Sequence, residues 1–458
     1  MLASRRLSLY DKAMADGGMT QMSGTPAIIS AGLYFNELPS DSAIEALVKE
    51  QILSFDSLSG QPIGGRWDKV GFDASKHILH HELDDEQGLI DFTQATMSAP
   101  LANREKGPWW EIHVCQTRDP SSRSMLFFRV EHACADGMAI LQVLSRVATT
   151  VEGEPLPPAV FNRPKAKPVS WWSWLCSGIA SIFKYLNLPL GPFDSTCAFK
   201  PSRPCQLLKF GHRQLVVVPP HSLNTIKRTK WAIGNGTTVN DVCYAAFAGA
   251  IRRYCEQQPD AVALSSNASL RALVPVAFPR SMDTPLTNDW CFVSTPLPVT
   301  EPSALQRVSV TNQLFSALKA SPEVIISKLA IMLNATMPPC LFGLAGQNTF
   351  SRHSVVFSNV PGPSQPIAIG GKEVVGLLPA FPNLIPQVLC VSYHGKMWMT
   401  LTVDPEAVKE PTLLSTLYLD ELRQLAIANG VDPDDGSEFK EPPKKDDALA
   451  KRDPRELV

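Results

Sequence analysis

Prolines divide this chain. Pro157, Pro158, Pro164 and Pro168 open a stretch that Pro189, Pro192, Pro201 and Pro204 close, and no long helix or central strand runs easily through either cluster. With 458 residues the chain is also too long for one ordinary core. Two domains joined by a long crossover follow: an N-terminal unit over 1–160, a linker over 161–205, a C-terminal unit over 206–431 and a charged tail over 432–458. The tail is polar and Pro-containing and is expected to be disordered. Hydrophobic residues make up 44% and charged residues 19%, the balance of a globular protein. A net charge of −2 provides no global basic field, so nucleic acid is not an expected partner.

Both halves alternate helix and strand patterns, which makes the fold class α/β. In the first half, Ala43 to Phe55 reads as an amphipathic helix and Glu111 to Cys115 as a strand. Met125 to Val130 is a mostly apolar strand, and a helix pattern runs from Met138 to Val151. In the second half, Asn240 to Tyr254 reads as a helix capped by Thr237 or Asn240. Strands are expected at Leu270 to Val276, Cys291 to Val299, Ser354 to Phe357 and Leu389 to Tyr393, and helices at Pro302 to Ala320 and Thr412 to Ala428. The crossover holds Val169 to Leu190, with Trp171, Trp172, Trp174, Phe183, Tyr185 and one charge, Lys184. Its length would permit a membrane span. Ser170, Ser173, Ser177, Ser181 and the clustered tryptophans favour a segment lying in a membrane interface, with packing between domains as the alternative. Met1 to Lys12 is polar and lacks an apolar core, so no secretory signal is expected. The 10 cysteines form no CxxC pair and read as reduced, mostly buried thiols.

His-x-x-x-Asp occurs three times, at His80–Asp84, His81–Asp85 and His132–Asp136. The first two overlap in His80-His81-Glu82-Leu83-Asp84-Asp85, which reads as a solvated loop. The third follows the apolar strand, is succeeded by Gly137 and enters a helix, so its side chains stand at a strand end. A neutral imidazole there, with a pKa near 6.5, can take the proton of an attacking hydroxyl and later return it to a leaving thiolate. Asp136 reads as a backbone lock rather than a substrate contact, and Gly137 as the residue that allows a tight turn. A hydrogen-bonded core histidine is the competing reading. Cys134 reads as a small packing residue. No GxSxG, Walker-type loop, HExxH or complete GxGxxG is present.

Around this motif the chain resembles the wax ester synthase/diacylglycerol acyltransferase family of the HxxxD acyltransferase superfamily. The resemblance rests on five ordered blocks: Pro108-Trp109-Trp110-Glu111-Ile112-His113, His132 to Gly137, Thr238-Val239-Asn240-Asp241-Val242, Leu270-Arg271-Ala272-Leu273-Val274-Pro275-Val276, and Ser358-Asn359-Val360-Pro361-Gly362-Pro363. Together they cover about residues 5 to 430. The resemblance implies two chloramphenicol-acetyltransferase-like domains with an active-site tunnel between them. It also implies acyl transfer from fatty acyl-CoA to a long-chain alcohol or diacylglycerol, with His132 as general base. Acyl-CoA is then a co-substrate, and neither a cofactor nor a metal is required. Asp136, Gly137 and Arg271 are expected to be structural, with Arg271 as a partner for Asp136. Asn240, Asp241, Asn359, Pro361 and Gly362 are candidates for substrate contact, against helix capping and turn formation. The lipid acceptor and the Trp-rich crossover imply a membrane or lipid-droplet surface, with the protein peripheral on the cytoplasmic side.

Two positions depart from the family pattern. Glu131 stands where the family has the first His of His-His-x-x-x-Asp-Gly, and Thr287-Asn288-Asp289-Trp290 stands where it tends to have Gly-Asn. On a continuous strand Glu131 and His132 would face opposite sides. Two alternatives stay open: a related enzyme using a carrier-protein thioester, and a non-catalytic lipid-binding protein of the same fold.

Overall fold

The computed structural model describes residues 5–24, 27–156, 170–187, 190–201, 213–258, 264–278, 280–281 and 284–439. Most of the crossover prolines, Cys205 and the end of the charged tail lie outside them. Two mixed sheets dominate. Their strands, in chain order, are β1 (Ile28–Phe35), β2 (Ile78–Leu83), β3 (Trp110–Thr117), β4 (Ser124–Glu131), β5 (Gln214–Ser222), β6 (Leu270–Ala277), β7 (Trp290–Leu297), β8 (Val355–Pro361), β9 (Gly376–Ala380), β10 (Gln387–Tyr393) and β11 (Lys396–Val403). The first sheet has the order β9-β1-β4-β3-β2 and the second β7-β6-β8-β10-β11-β5. β9 comes from the second half of the chain yet pairs antiparallel with β1, so the second half completes the first sheet.

The helices that matter to the site are α1 (Leu9–Ala15), α2 (Gly137–Val147), α3 (Trp171–Asn187), α4 (Val239–Glu256), α5 (Glu323–Asn334), α6 (Pro339–Ser351) and α7 (Thr412–Ala428). The apolar run of β4 is buried along nearly its whole length, as expected of a strand in mid-sheet with both faces covered. α4 buries small residues, among them Ala245, Ala246, Ala248 and Ala250, against the second sheet. Its Gly249 lies over the buried Arg307–Glu421 ion pair, where a Cβ would collide with both groups.

Several expectations are corrected. The helix expected to run to Val151 ends at Val147, and the β-branched Thr149 and Thr150 pass into a short strand paired with Ile367–Ile369. The His80-His81 stretch is not a loop but β2, the outer strand of its sheet. His81 faces inward to a 2.9 Å hydrogen bond with His113, whereas His80 faces outward with a half-exposed side chain. An outer strand keeps one wet face, so its composition reads as polar. The cap of α4 is Thr238, not Thr237 or Asn240. Residues 432–439, assigned to the disordered tail, are held because Asp434 pairs with Arg423 and the Asp435 carbonyl accepts from Arg228.

Candidate active site

β4 delivers His132 to the seam between the two sheets. The strand ends at Glu131, and the His132 amide donates to the Ala27 carbonyl at 2.8 Å. The Cys134 amide then closes a turn on the Glu131 carbonyl at 2.9 Å. Asp136 caps α2, its Oδ1 accepting from the Ala139 amide at 2.8 Å. The cap works because the first amides of a helix lack partners within it. The other oxygen of Asp136 reaches across the seam, accepting from the Asp289 amide at 2.9 Å and pairing with Arg280.

The imidazole is held from the second half. His132 Nδ1 lies 2.9 Å from Asn288 Oδ1. The Asn288 amide nitrogen is committed elsewhere, donating to Asp11 Oδ1 at 2.9 Å and to the His132 carbonyl at 2.7 Å. The atom facing the ring is therefore an acceptor, so Nδ1 carries the proton and donates. Nε2 is left with its lone pair. The ring sits between Trp290 and Phe381, with centroids 5.6 and 5.8 Å away. Burial is the largest influence on its pKa and lowers it, against smaller upward pulls from its hydrogen bonds and from the Asp136 and Asp11 carboxylates. A neutral imidazole with a free Nε2 is the form that can accept a proton.

Across the seam, a Cβ built on Gly137 would find only Val360 Cγ2, at 4.0 Å. Gly137 has no positive φ, so the expected tight turn is not its reason. It leaves open space between the start of α2 and the end of β8. Asn359, one residue before Val360, donates to Asn240 Oδ1 at 3.3 Å. Asp241 completes a capping box with Thr238 and accepts from Asn312 at 2.8 Å. Pro361 ends β8. Gly362 packs so closely on the Ser392 carbonyl that a Cβ would overlap it. The turn bearing His132 and the 359–362 segment thus meet at the seam.

Comparison with known proteins gives one consistent result. Residues 286–426 match the WS/DGAT C-terminal domain. The wax ester synthase/diacylglycerol acyltransferase 2 of Arabidopsis thaliana is 24% identical over 409 residues, covering 79% of this chain and 82% of its own. The O-acyltransferase WSD of Acinetobacter baylyi is 24% identical, covering 86% of this chain and 92% of its own. Among solved structures, the wax ester synthase/diacylglycerol acyltransferase from Marinobacter aquaeolei VT8 superposes with a TM-score of 0.64. It is 21% identical, over 93% of this chain and all of that one. The chain is thus similar to wax ester synthase/diacylglycerol acyltransferases along most of its length, and residues 286–426 match the C-terminal domain of that family.

The Glu131 side chain has a different partner from the His132 ring. It forms a two-pronged ion pair with Arg104, at 2.6 and 3.0 Å, and Arg104 lies over Trp109. The substituted position thus anchors the Pro-Trp-Trp-Glu block. Burial raises the Glu131 pKa, opposed by Arg104. Arg271 is corrected as the partner of Asp136. It pairs with Asp194 at 2.6 Å and donates to the Pro192 carbonyl, pinning the end of the crossover to β6. Arg280 takes the place expected for it, and nothing in the spacing distinguishes the two arginines. Cys134 is fully buried and its thiol is pushed well up by burial, which suits packing and not nucleophilic attack. Asn288 and Asp11 were not anticipated as site residues. Asn288 lies in the Thr-Asn-Asp-Trp stretch already marked as a departure, while Asp11 carried no local signal.

Proposed function

We propose that this O-acyltransferase moves a fatty acyl group from acyl-CoA to a long-chain alcohol or diacylglycerol, with Nε2 of His132 as general base. The observation that carries the reading is the Asn288–His132 hydrogen bond, which leaves Nε2 unprotonated. Nε2 takes the hydroxyl proton as the alcohol oxygen attacks the thioester carbonyl. The C–S bond then breaks, and the imidazolium returns the proton to the departing thiolate, giving ester and free CoA. The names of the Arabidopsis and Marinobacter relatives support a fatty alcohol or diacylglycerol acceptor. Asn240 and Asn359 are the amides offered for substrate contact near the seam.

A lipid acceptor calls for a lipid surface. Trp171, Trp172 and Trp174 of α3 are 64%, 60% and 48% exposed, which supports peripheral attachment to a membrane. Among the described residues no helix is long and apolar enough to cross a membrane. The test is purified protein with radiolabelled palmitoyl-CoA, offered hexadecanol and diacylglycerol separately, with products resolved by chromatography. Ester with at least one acceptor is expected. His132→Ala should lower kcat by about 10²–10⁴-fold with acyl-CoA binding retained. A variant keeping more than roughly a tenth of wild-type kcat, well above that range, would remove His132 from the chemistry.

A further inference from the structure

The N-terminal helix reaches the proposed base through one amide. Asp11, in the first turn of α1, is fully buried, and its Oδ1 accepts from both the backbone amide of Asn288 at 2.8 Å and the side-chain Nδ2 at 2.9 Å. Neighbouring residues hold the same loop. Arg5 donates to the Leu286 carbonyl at 2.8 Å, and Tyr10 packs on Trp290 with ring centroids 5.2 Å apart. Trp290 in turn donates from Nε1 to Asn288 Oδ1 at 3.3 Å. The 286–290 loop is therefore gripped by the extreme N-terminal segment on one side while it touches His132 on the other.

An asparagine amide has two orientations that differ only in hydrogen-bonding sense. With its nitrogen on Asp11, Asn288 presents oxygen to His132, and the neutral ring keeps its proton on Nδ1. With the amide reversed, an NH2 would face Nδ1, and the neutral ring would have to carry its proton on Nε2. That tautomer cannot act as a base through Nε2. We propose that Asp11 is a positioning residue for acyl transfer, orienting the Asn288 amide so that His132 stays in the Nδ1–H tautomer. The proposal rests on the reading of His132 as base. It adds that the tautomer is set from a carboxylate far away in sequence and outside the HxxxD motif.

The experiment compares wild type, Asp11→Ala, Asp11→Asn and Asn288→Ala in the acyltransfer assay. Imidazole nitrogens of 15N-histidine-labelled protein are read by NMR, with the His132 signals assigned by their loss in His132→Ala. Asp11→Ala should lower kcat by about ten- to thousand-fold, below the roughly 10⁴-fold cost of a wholly wrong tautomer, while KM for acyl-CoA changes little. Its His132 signals should move toward the Nε2–H form. Asp11→Asn keeps an acceptor oxygen, so it should recover much of kcat and the wild-type signals. Asn288→Ala should match Asp11→Ala, and combining the two should cost nothing further, because they act in series. If Asp11→Ala does not fold, the partial rescue in Asp11→Asn and the signal shift in Asn288→Ala still decide. Unchanged kcat and tautomer in Asp11→Ala would overturn the proposal, and so would activity loss with unshifted His132 signals. If His132→Ala itself stays active, the reading of the base fails; if that variant is dead and Asp11→Ala is not, only the Asp11 role fails.

Discussion

At the scale of single residues, polarity at the site is set by what each group is forbidden to do. Asn288 cannot turn its nitrogen to His132 without abandoning Asp11 and the His132 carbonyl. Burial then decides the charge. It raises the Asp11 pKa and lowers that of His132, so the ring is neutral at neutral pH. The pH dependence follows. With His132 as the proposed base only the neutral ring would be active, so kcat/KM should fall as acid protonates it, with the half-point below the ordinary 6.5. A steady-state pH profile checks this. An acid limb centred above neutrality would contradict a base desolvated in this way.

At the scale of elements, α3 combines contacts to the second sheet with exposed apolar side chains. One side of α3 is tied down: Lys184 pairs with Glu323 of α5 and donates to the Ser294 carbonyl, and the Tyr185 hydroxyl donates to the Phe292 carbonyl. Exposed along the same helix are the three tryptophans in its first turn and Ile179, Ile182 and Phe183 further on. α5 and α6 add exposed Ile325, Leu329, Leu333, Leu341 and Leu344. The packing alternative raised for this segment is met by Lys184 and Tyr185, while the exposed apolar side chains leave a surface that a membrane interface could take. Replacing Trp171, Trp172 and Trp174 with Ser should cost about 2–4 kcal/mol of membrane affinity, less than full burial of three large rings would give. That is a roughly ten- to thousand-fold weaker partition. Liposome co-sedimentation reads it, and activity on a short, water-soluble alcohol should survive. Unchanged sedimentation with collapsed stability would assign the rings to packing instead.

Across the whole molecule, the two sheets are joined by exchange and by charge. β9 pairs with β1, and Asp136 pairs with Arg280, both side chains being less than a tenth exposed. Breaking a buried pair by removing one partner costs about 3–5 kcal/mol, because the other charge is left alone. Asp136→Asn and Arg280→Ala should therefore each lower the melting temperature and the activity together. The double variant should be less damaged than the sum of the two, and a thermodynamic cycle from chemical denaturation measures that coupling. Full additivity would mean that the pair does not carry the joint, and normal melting with a pure kcat loss in Asp136→Asn would give the carboxylate a direct chemical role.

The sequence by itself determined what is local and periodic. The apolar run of β4 and the helices over Asn240 to Tyr254 and Thr412–Ala428 are legible because each is written in neighbouring residues. The His132–Gly137 turn was legible for the same reason, and the order of five blocks pointed to the family. Tertiary structure decided the partners. Asp136 takes Arg280 and not Arg271, Glu131 turns to Arg104, and His132 meets Asn288, which is itself held by Asp11. No spacing in the chain distinguishes one buried arginine or asparagine from another. Which of them completes a hydrogen bond depends on where a strand end and a distant loop converge, and desolvation makes those few contacts costly to leave unmet.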